Sequence, residues 1–298
     1  MKRTLIVIAI LCIVMLATTL NCTGNFLWEV ENGKNKVYLL GSLHIMPEET
    51  YPLDDRIEKA FEEAEILVVE VNIINADQEK LQALIVENAF YKEGRNLQTE
   101  LPEDLYKSVS EKFVELGVPM EQIDIYKPWF VSMNLGLLGL QKLNITAGLG
   151  IDVHFLNKAN EEEMEILDME TAGAQLEMLA SIPDKVQIDY LQYSLDEYEQ
   201  STTTFMEMLE AWKTGDTEKM NAVSKVKMLE LADELPGIID YYNKLFVERD
   251  LKIVEKIASY LEEEEDHIYF IIVGAFHLVG DDGLLKLLIE KGYNTKQL

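Results

Sequence analysis

Two apolar runs more than two hundred residues apart lead into the same four-residue pattern, and that pairing constrains the fold of this chain more than any other feature. Lys36-Val37-Tyr38-Leu39-Leu40 precedes Gly41-Ser42-Leu43-His44, and Ile268-Tyr269-Phe270-Ile271-Ile272-Val273 precedes Gly274-Ala275-Phe276-His277. Short continuous apolar runs of this kind read as buried β-strands. The chain has four histidines in all. Two of them in identical settings predict one site assembled from distant segments, either a metal centre or an acid–base pair.

The surrounding pattern is that of an α/β protein. Phe26 to Val30 and Val37 to Leu40 flank an Asn32-Gly33 turn and predict a β-hairpin. Ile57, Ala60, Phe61 and Ala64 recur at helical spacing, and Ile66-Leu67-Val68-Val69-Glu70-Val71 follows as a strand. Such a strand-helix-strand unit is right-handed and parallel, so both strands end at the same edge of the sheet. The middle of the chain is helical: 78–91, 102–116 and 128–143, then a break at Gly148-Leu149-Gly150 and a short helix capped by Asp152. A further strand is expected over 165–169, long helices over 172–261 with interruptions near Gly215 and Pro236-Gly237, and after the last strand a helix over 283–291 and a short terminal strand. These patterns predict a mixed, partly parallel sheet with flanking helices and a large helical insertion, in one domain over 25–298.

Composition narrows the partners. With 26 basic against 54 acidic side chains the net charge is −28, which disfavours nucleic acid and anionic lipid headgroups. The same charge attracts cations, although solubility explains it as well. Met1-Lys2-Arg3 followed by an almost unbroken apolar stretch from Thr4 to Leu20 reads as an export signal or membrane anchor over 1–22. Any membrane contact is therefore expected through this segment alone, with the protein exported and either held at the outer face or secreted. Cys22 stands where a lipoprotein carries its acylated cysteine, and Cys12 is the only other cysteine, so the mature domain has no disulfide and no thiolate ligand.

The site argument is topological. Ligands of parallel α/β sheets bind beyond the carboxyl ends of the strands. His44 lies four residues past the first run, Glu70 near the end of the second, and His277 four residues past the last. If the last strand is parallel to the others, all three converge on one rim, each glycine turning the chain through conformations denied to other residues. Glu70 interrupts an apolar run, where a carboxylate must be paired, hydrogen-bonded or metal-bound. Two imidazoles and a carboxylate suit a divalent transition metal.

These residues resemble the TraB/GumN/TIKI family, whose pattern has two Gly-x-x-His motifs, a glutamate on the strand after the first, and an Arg-Asn pair on the helix before the second. The resemblance runs from Phe26 to Leu298 and also includes Gly150-Ile151-Asp152-Val153-His154, Met169-Glu170-Thr171 and the residues after His277 through Leu285. It implies a fold related to erythromycin-esterase and ChaN-like proteins. For the TIKI branch it implies a metalloprotease using manganese or cobalt, with His44, Glu70 and His277 in ligand and catalytic positions. Other branches act in peptide-pheromone shutdown. The family's Arg-Asn pair is Arg249-Asp250 here, and the added charge could neutralise the arginine or supply another ligand.

The expectation is thus a metal-dependent peptidase acting on peptides or proteins outside the cytoplasm. His44 and His277 bind a manganese, cobalt or zinc ion, Glu70 is ligand or general base, and Arg249 steadies the developing oxyanion. Asp152, His154, Glu170 and Asp250 are candidates for the surrounding shell, with Glu170 expected to orient a ligand histidine. The alternatives are a non-catalytic protein that sequesters a peptide or small ligand in the same pocket and, more distantly, a haem binder.

Overall fold

The computed structural model of the protein describes residues 25–141, 145 and 147–298. The signal or anchor segment expected over 1–22, Cys22 included, lies outside them. Among the described residues no helix is long and apolar enough to cross a membrane.

Six strands form one mixed sheet: β1 (Leu27–Asn32), β2 (Asn35–Ser42), β3 (Ile66–Val69), β4 (Glu165–Asp168), β5 (Ile268–Gly274) and β6 (Asn294–Gln297), in the order β4-β3-β5-β2-β1-β6. β1 and β2 make the expected hairpin, β1 also pairs antiparallel with β6, and β2, β5, β3 and β4 are parallel. The three apolar runs of the sequence are β2, β3 and β5. The strand-helix-strand unit of β2, α1 (Asp55–Glu63) and β3 leaves a gap one strand wide, and β5 fills it. Ser42 stands opposite Gly274, and Val69 opposite Ile272. β5, from the far end of the chain, therefore delivers the second motif between the first motif and Glu70.

Helices occupy the rest of the chain. Between β3 and β4 lie α2 (Gln78–Ala89), α3 (Leu97–Glu100), α4 (Glu103–Glu115), α5 (Pro128–Gln141) and α6 (Ile151–Glu161). Between β4 and β5 lie α7 (Ala172–Ala180), α8 (Asp184–Asp196), α9 (Tyr198–Thr214), α10 (Thr217–Asn221), α11 (Lys227–Glu230), α12 (Ile238–Tyr242) and α13 (Glu248–Leu261), and after β5 come α14 (Ala275–Leu278) and α15 (Leu284–Glu290). Two wide π-helical turns, Ala222–Val226 and Asn243–Val247, interrupt this second helical stretch.

Both sheet faces are covered, as the buried runs require. Phe61 on α1, Phe155 on α6 and Phe270 on β5 form one ring cluster with centroids 4.9–5.4 Å apart. Tyr269, the next residue along β5, points to the opposite face, where it stacks at 4.7 Å on Tyr260 of α13. A second apolar cluster lies within the insertion, where Leu101, Val109 and Phe113 pack with Val131, Leu135 and Leu191. Its helices thus have an apolar centre of their own beside the sheet core.

Candidate functional site

Glu70 is the centre of the constellation. β3 ends at Val69, so Glu70 is the first residue beyond the strand rather than a carboxylate inside it. The pairing with β4 continues one step further, because the Glu170 amide donates to the Glu70 carbonyl at 2.9 Å. Two carboxylates therefore sit side by side on adjacent strand ends. Arg249, in the first turn of α13, is clamped between them: Nη2 donates to Glu70 Oε2 at 2.6 Å and to Glu170 Oε2 at 2.7 Å, and Nε also donates to Glu170. Gln175 of α7 bridges the same pair at 3.1 and 3.0 Å.

The second motif approaches from the middle strand. The Gly274 N–H donates to Glu70 Oε1 at 2.6 Å, and His277 on α14 brings Nε2 to 3.8 Å from the same oxygen. His277 Nδ1 makes a short contact with Asp250 Oδ1, a bond that leaves Nε2 facing Glu70. His44 completes the group from two residues beyond the end of β2. A methyl group built on Gly274 would stand 3.4 Å from Glu70 Oε1, 3.5 Å from His277 Cδ2 and 3.8 Å from His44 Nε2. Side chains from three parallel strand ends thus surround one point, the convergence that the spacing predicted conditionally.

The glycines of the two motifs act by close approach, and the expected special backbone conformation is a correction. Neither Gly41 nor Gly274 has a positive φ. At Gly41 a Cβ would come within 2.5 Å of the Phe26 ring and 2.9 Å of Leu278. At Gly274 it would occupy the centre of the candidate site.

Local charge shifts two of these groups. Burial pushes the Glu70 carboxyl up, but His277, Arg249, His44 and the Gly274 amide outweigh it and hold the group down at about 2. At His44 the surrounding protein acts downward, yet Asp152 and then Glu70 carry the imidazole up to about 9. Burial raises Asp250, which is fully enclosed.

The remaining candidates divide. Asp152 does not cap its helix, because α6 starts at Ile151 with Gly150 as N-cap and Asp152 lies in the first turn. Its Oδ1 is buried, without a hydrogen bond, 3.3 Å from His44 Nδ1. His154, two residues on and so on a different helix face, is not brought into the group and instead meets Glu58 at 3.3 Å and the Tyr51 ring at 4.9 Å. Glu170 holds Arg249 and Gln175, and the histidine-orienting part falls to Asp250. Asp250 in turn does not neutralise Arg249, because the two are consecutive on α13 and face apart. Arg249 Nη1 also donates to the Leu245 carbonyl at 3.3 Å, so among the described residues one of its five N–H groups remains uncommitted.

Gln175 and Lys225 have no counterpart in the sequence reading. Gln175 lies on a helix of ordinary composition, and Lys225 is one lysine among many in a helical region. An acid pair four residues past His277, Asp281-Asp282, is the one local signal that a cation stands near, since Lys225 donates to Asp282 at 2.9 Å. Trp212 is a third such residue, its Nε1 donating to the Gly41 carbonyl at 2.6 Å and fixing the first motif.

The donor set fits a divalent metal in kind. His277 Nε2 and Glu70 Oε1, 3.8 Å apart, match two ligands each about 2.0–2.2 Å from a shared ion. Among the described residues no three His, Cys, Asp or Glu side chains already stand close enough to hold one. His44, the third candidate, has a side chain 66% exposed, with Nδ1 3.3 Å from Asp152.

The sequence profile described as the TraB/PrgY/gumN family matches residues 26–297. The chain belongs to this family. Within 86% of its length it is 23% identical to the uncharacterized protein YbaP of Escherichia coli (strain K12), covering 89% of that protein, and the Shigella flexneri YbaP matches to the same extent. It is 21% identical over 93% of its length to a metalloprotease TIKI homolog of Amphimedon queenslandica, spanning 62% of that longer protein. No solved structure matches it.

Proposed function

We propose that this family member is a metal-dependent peptidase, exported by its N-terminal segment and acting on peptides or proteins outside the cytoplasm, on a sheet of the erythromycin-esterase and ChaN-like kind. The observation that supports it most is the approach of His44, His277 and Glu70 to the single point beside Gly274. The metalloprotease named among its relatives accords with this chemistry.

In this reading His277 Nε2, Glu70 Oε1 and His44 Nε2 hold a manganese, cobalt or zinc ion. When bound, such an ion polarises a carbonyl and supplies a nucleophile at neutral pH. The protein's own groups then have distinct tasks. Asp250 fixes the His277 ring through Nδ1. Glu70, held at about 2, stays ionised and serves as a ligand, since a carboxylate that acidic is a poor proton acceptor near pH 7. Arg249 anchors Glu70 and Glu170, and its one uncommitted N–H is what it can offer to a developing oxyanion. Asp152 beside His44 is placed to accept a proton from that ring.

The three hydrogen bonds that Glu70 already accepts, from Gly274, Gln175 and Arg249, favour the second reading, a peptide-sequestering protein that does not cleave. Metal content and peptide hydrolysis of the purified protein, with His44→Ala and His277→Ala beside it, separate the two. The peptidase reading expects bound metal and cleavage in the parent and loss of both in either variant. Undiminished hydrolysis in both variants would refute it, and peptide affinity without turnover under any metal would favour sequestration.

A further inference from the structure

A lysine lies inside the protein behind His277, and the proposed chemistry gives it no task. Lys225 is 1% exposed, and its Nζ stands 3.4 Å from Asp250 Oδ2 and 2.9 Å from Asp282 Oδ1. Asp282 Oδ2 in turn accepts from the Tyr242 hydroxyl at 2.5 Å. The ammonium is 4.9 Å from the Phe246 ring centroid, and that ring packs 5.5 Å from the His277 imidazole. Lys225 is carried on the wide turn Ala222–Val226, and Phe246 on the second wide turn Asn243–Val247. Both interruptions of helical geometry thus bear on one histidine. Turns of this kind, which re-aim side chains out of helical register, occur often at functional sites.

A buried lysine lowers stability unless its partners are well placed. For packing alone, an apolar side chain of the same length would serve at least as well. The partner that needs the charge is Asp250. Its one oxygen meets His277 Nδ1 and its other meets Lys225, so the ammonium fixes both the rotation of the carboxylate and its negative charge. A carboxylate so held accepts from Nδ1–H and leaves Nε2 as the bare nitrogen.

We propose that Lys225 is a positioning residue: acting through Asp250, it sets the His277 tautomer with the proton on Nδ1 and the lone pair of Nε2 turned towards Glu70. For metal binding the inference rests on the peptidase reading, whereas for the ring itself it stands alone. The tautomer is read in the metal-free protein by nitrogen NMR of the histidine rings, with His277→Ala supplying the assignment, and cobalt affinity is measured in parallel. In the parent protein His277 carries its proton on Nδ1 alone. Lys225→Met moves the ring towards the Nε2–H form and weakens cobalt binding by about tenfold or more, the range seen when a ligand's supporting group is removed. In an Asp250→Asn background, where the neutral amide needs no counter-charge, adding Lys225→Met changes neither readout by more than about twofold.

An unaltered ring and unaltered cobalt affinity in a folded Lys225→Met protein overturn the inference, and so does a parent ring protonated on Nε2. If Lys225→Met does not fold, the Asp250→Asn pair decides: equal ring states support the inference, and a further shift on losing the lysine overturns it. A parent that shows the expected ring state and binds no cobalt defeats the metal reading and leaves the role of Lys225 standing.

Discussion

Replacing Arg249 by methionine is the sharpest perturbation of the site. Arg249, Glu70 and Glu170 have side-chain exposures of 11, 12 and 17%, so the two carboxylates on adjacent strand ends are largely shielded from water. Without the guanidinium, the contacts left to them among the described residues include the Gln175 amide, the Gly274 N–H and the nearby imidazoles. Removing one partner of a buried ion pair destabilises by about 3–5 kcal/mol, a large part of the roughly 5–15 kcal/mol by which domains are stable. In a chain of this length that corresponds to a Tm lower by roughly 6–10 °C. Adding Glu170→Gln to Arg249→Met removes one of the two abandoned charges and recovers part of the loss. The sign of the pH effect follows as well. In the parent Glu70 is depressed to about 2, so its contribution is present above the ordinary carboxylate range and is lost as pH falls through about 2. In Arg249→Met the pKa of Glu70 rises, and the penalty shrinks as pH is lowered from about 8 to about 5.5 because protonation now relieves the charge. Thermal denaturation of the metal-free proteins across that range is the assay. A Tm within about 2 °C of the parent, or a penalty that does not change with pH, would refute the electrostatic account of the clamp.

Two further outcomes are expected. Gly274→Ala keeps the fold, because its φ of −54° and ψ of 136° suit alanine and its methyl meets neighbours at 3.4–3.8 Å. The methyl fills the space between the donors, so cobalt affinity falls at least about tenfold while Tm moves little, and unchanged affinity in isothermal titration would contradict the placement of the site. For His44 the folded value, about 9, lies above the ordinary imidazole value. The stability it confers on the metal-free protein is therefore fully present below about pH 6.5 and is lost as pH rises through about 9. Denaturation midpoints from pH 6 to pH 10 in the presence of a chelator should show that loss, and Asp152→Asn should flatten it.

Much of this was legible in the chain because strand burial leaves a local trace. The apolar runs that became β2, β3 and β5 are continuous, as strands covered on both faces must be, and the period of Ile57, Ala60, Phe61 and Ala64 marked α1 just as directly. The repeated Gly-x-x-His and the acid interrupting an apolar ribbon singled out His44, Glu70 and His277 before any contact was known. Of the two parts expected of Asp152, helix cap and member of the surrounding shell, the first is corrected, since α6 begins one residue before it, at Ile151, and leaves the carboxylate in its first turn, 3.3 Å from His44. His154 was grouped with Asp152 because the two are close in sequence, and the rotation of a helix carries them apart.

What the sequence by itself determined is the set of strands and the residue types at their carboxyl ends, because those are fixed by local periodicity and by the cost of burying a charge. Only the tertiary structure decided that β5 enters between β2 and β3, that Arg249 and Asp250 face opposite ways from consecutive positions, and that Lys225 stands behind His277. Strand order and helix rotation arise from packing between segments up to two hundred residues apart, and such contacts leave no mark on the local pattern of the chain.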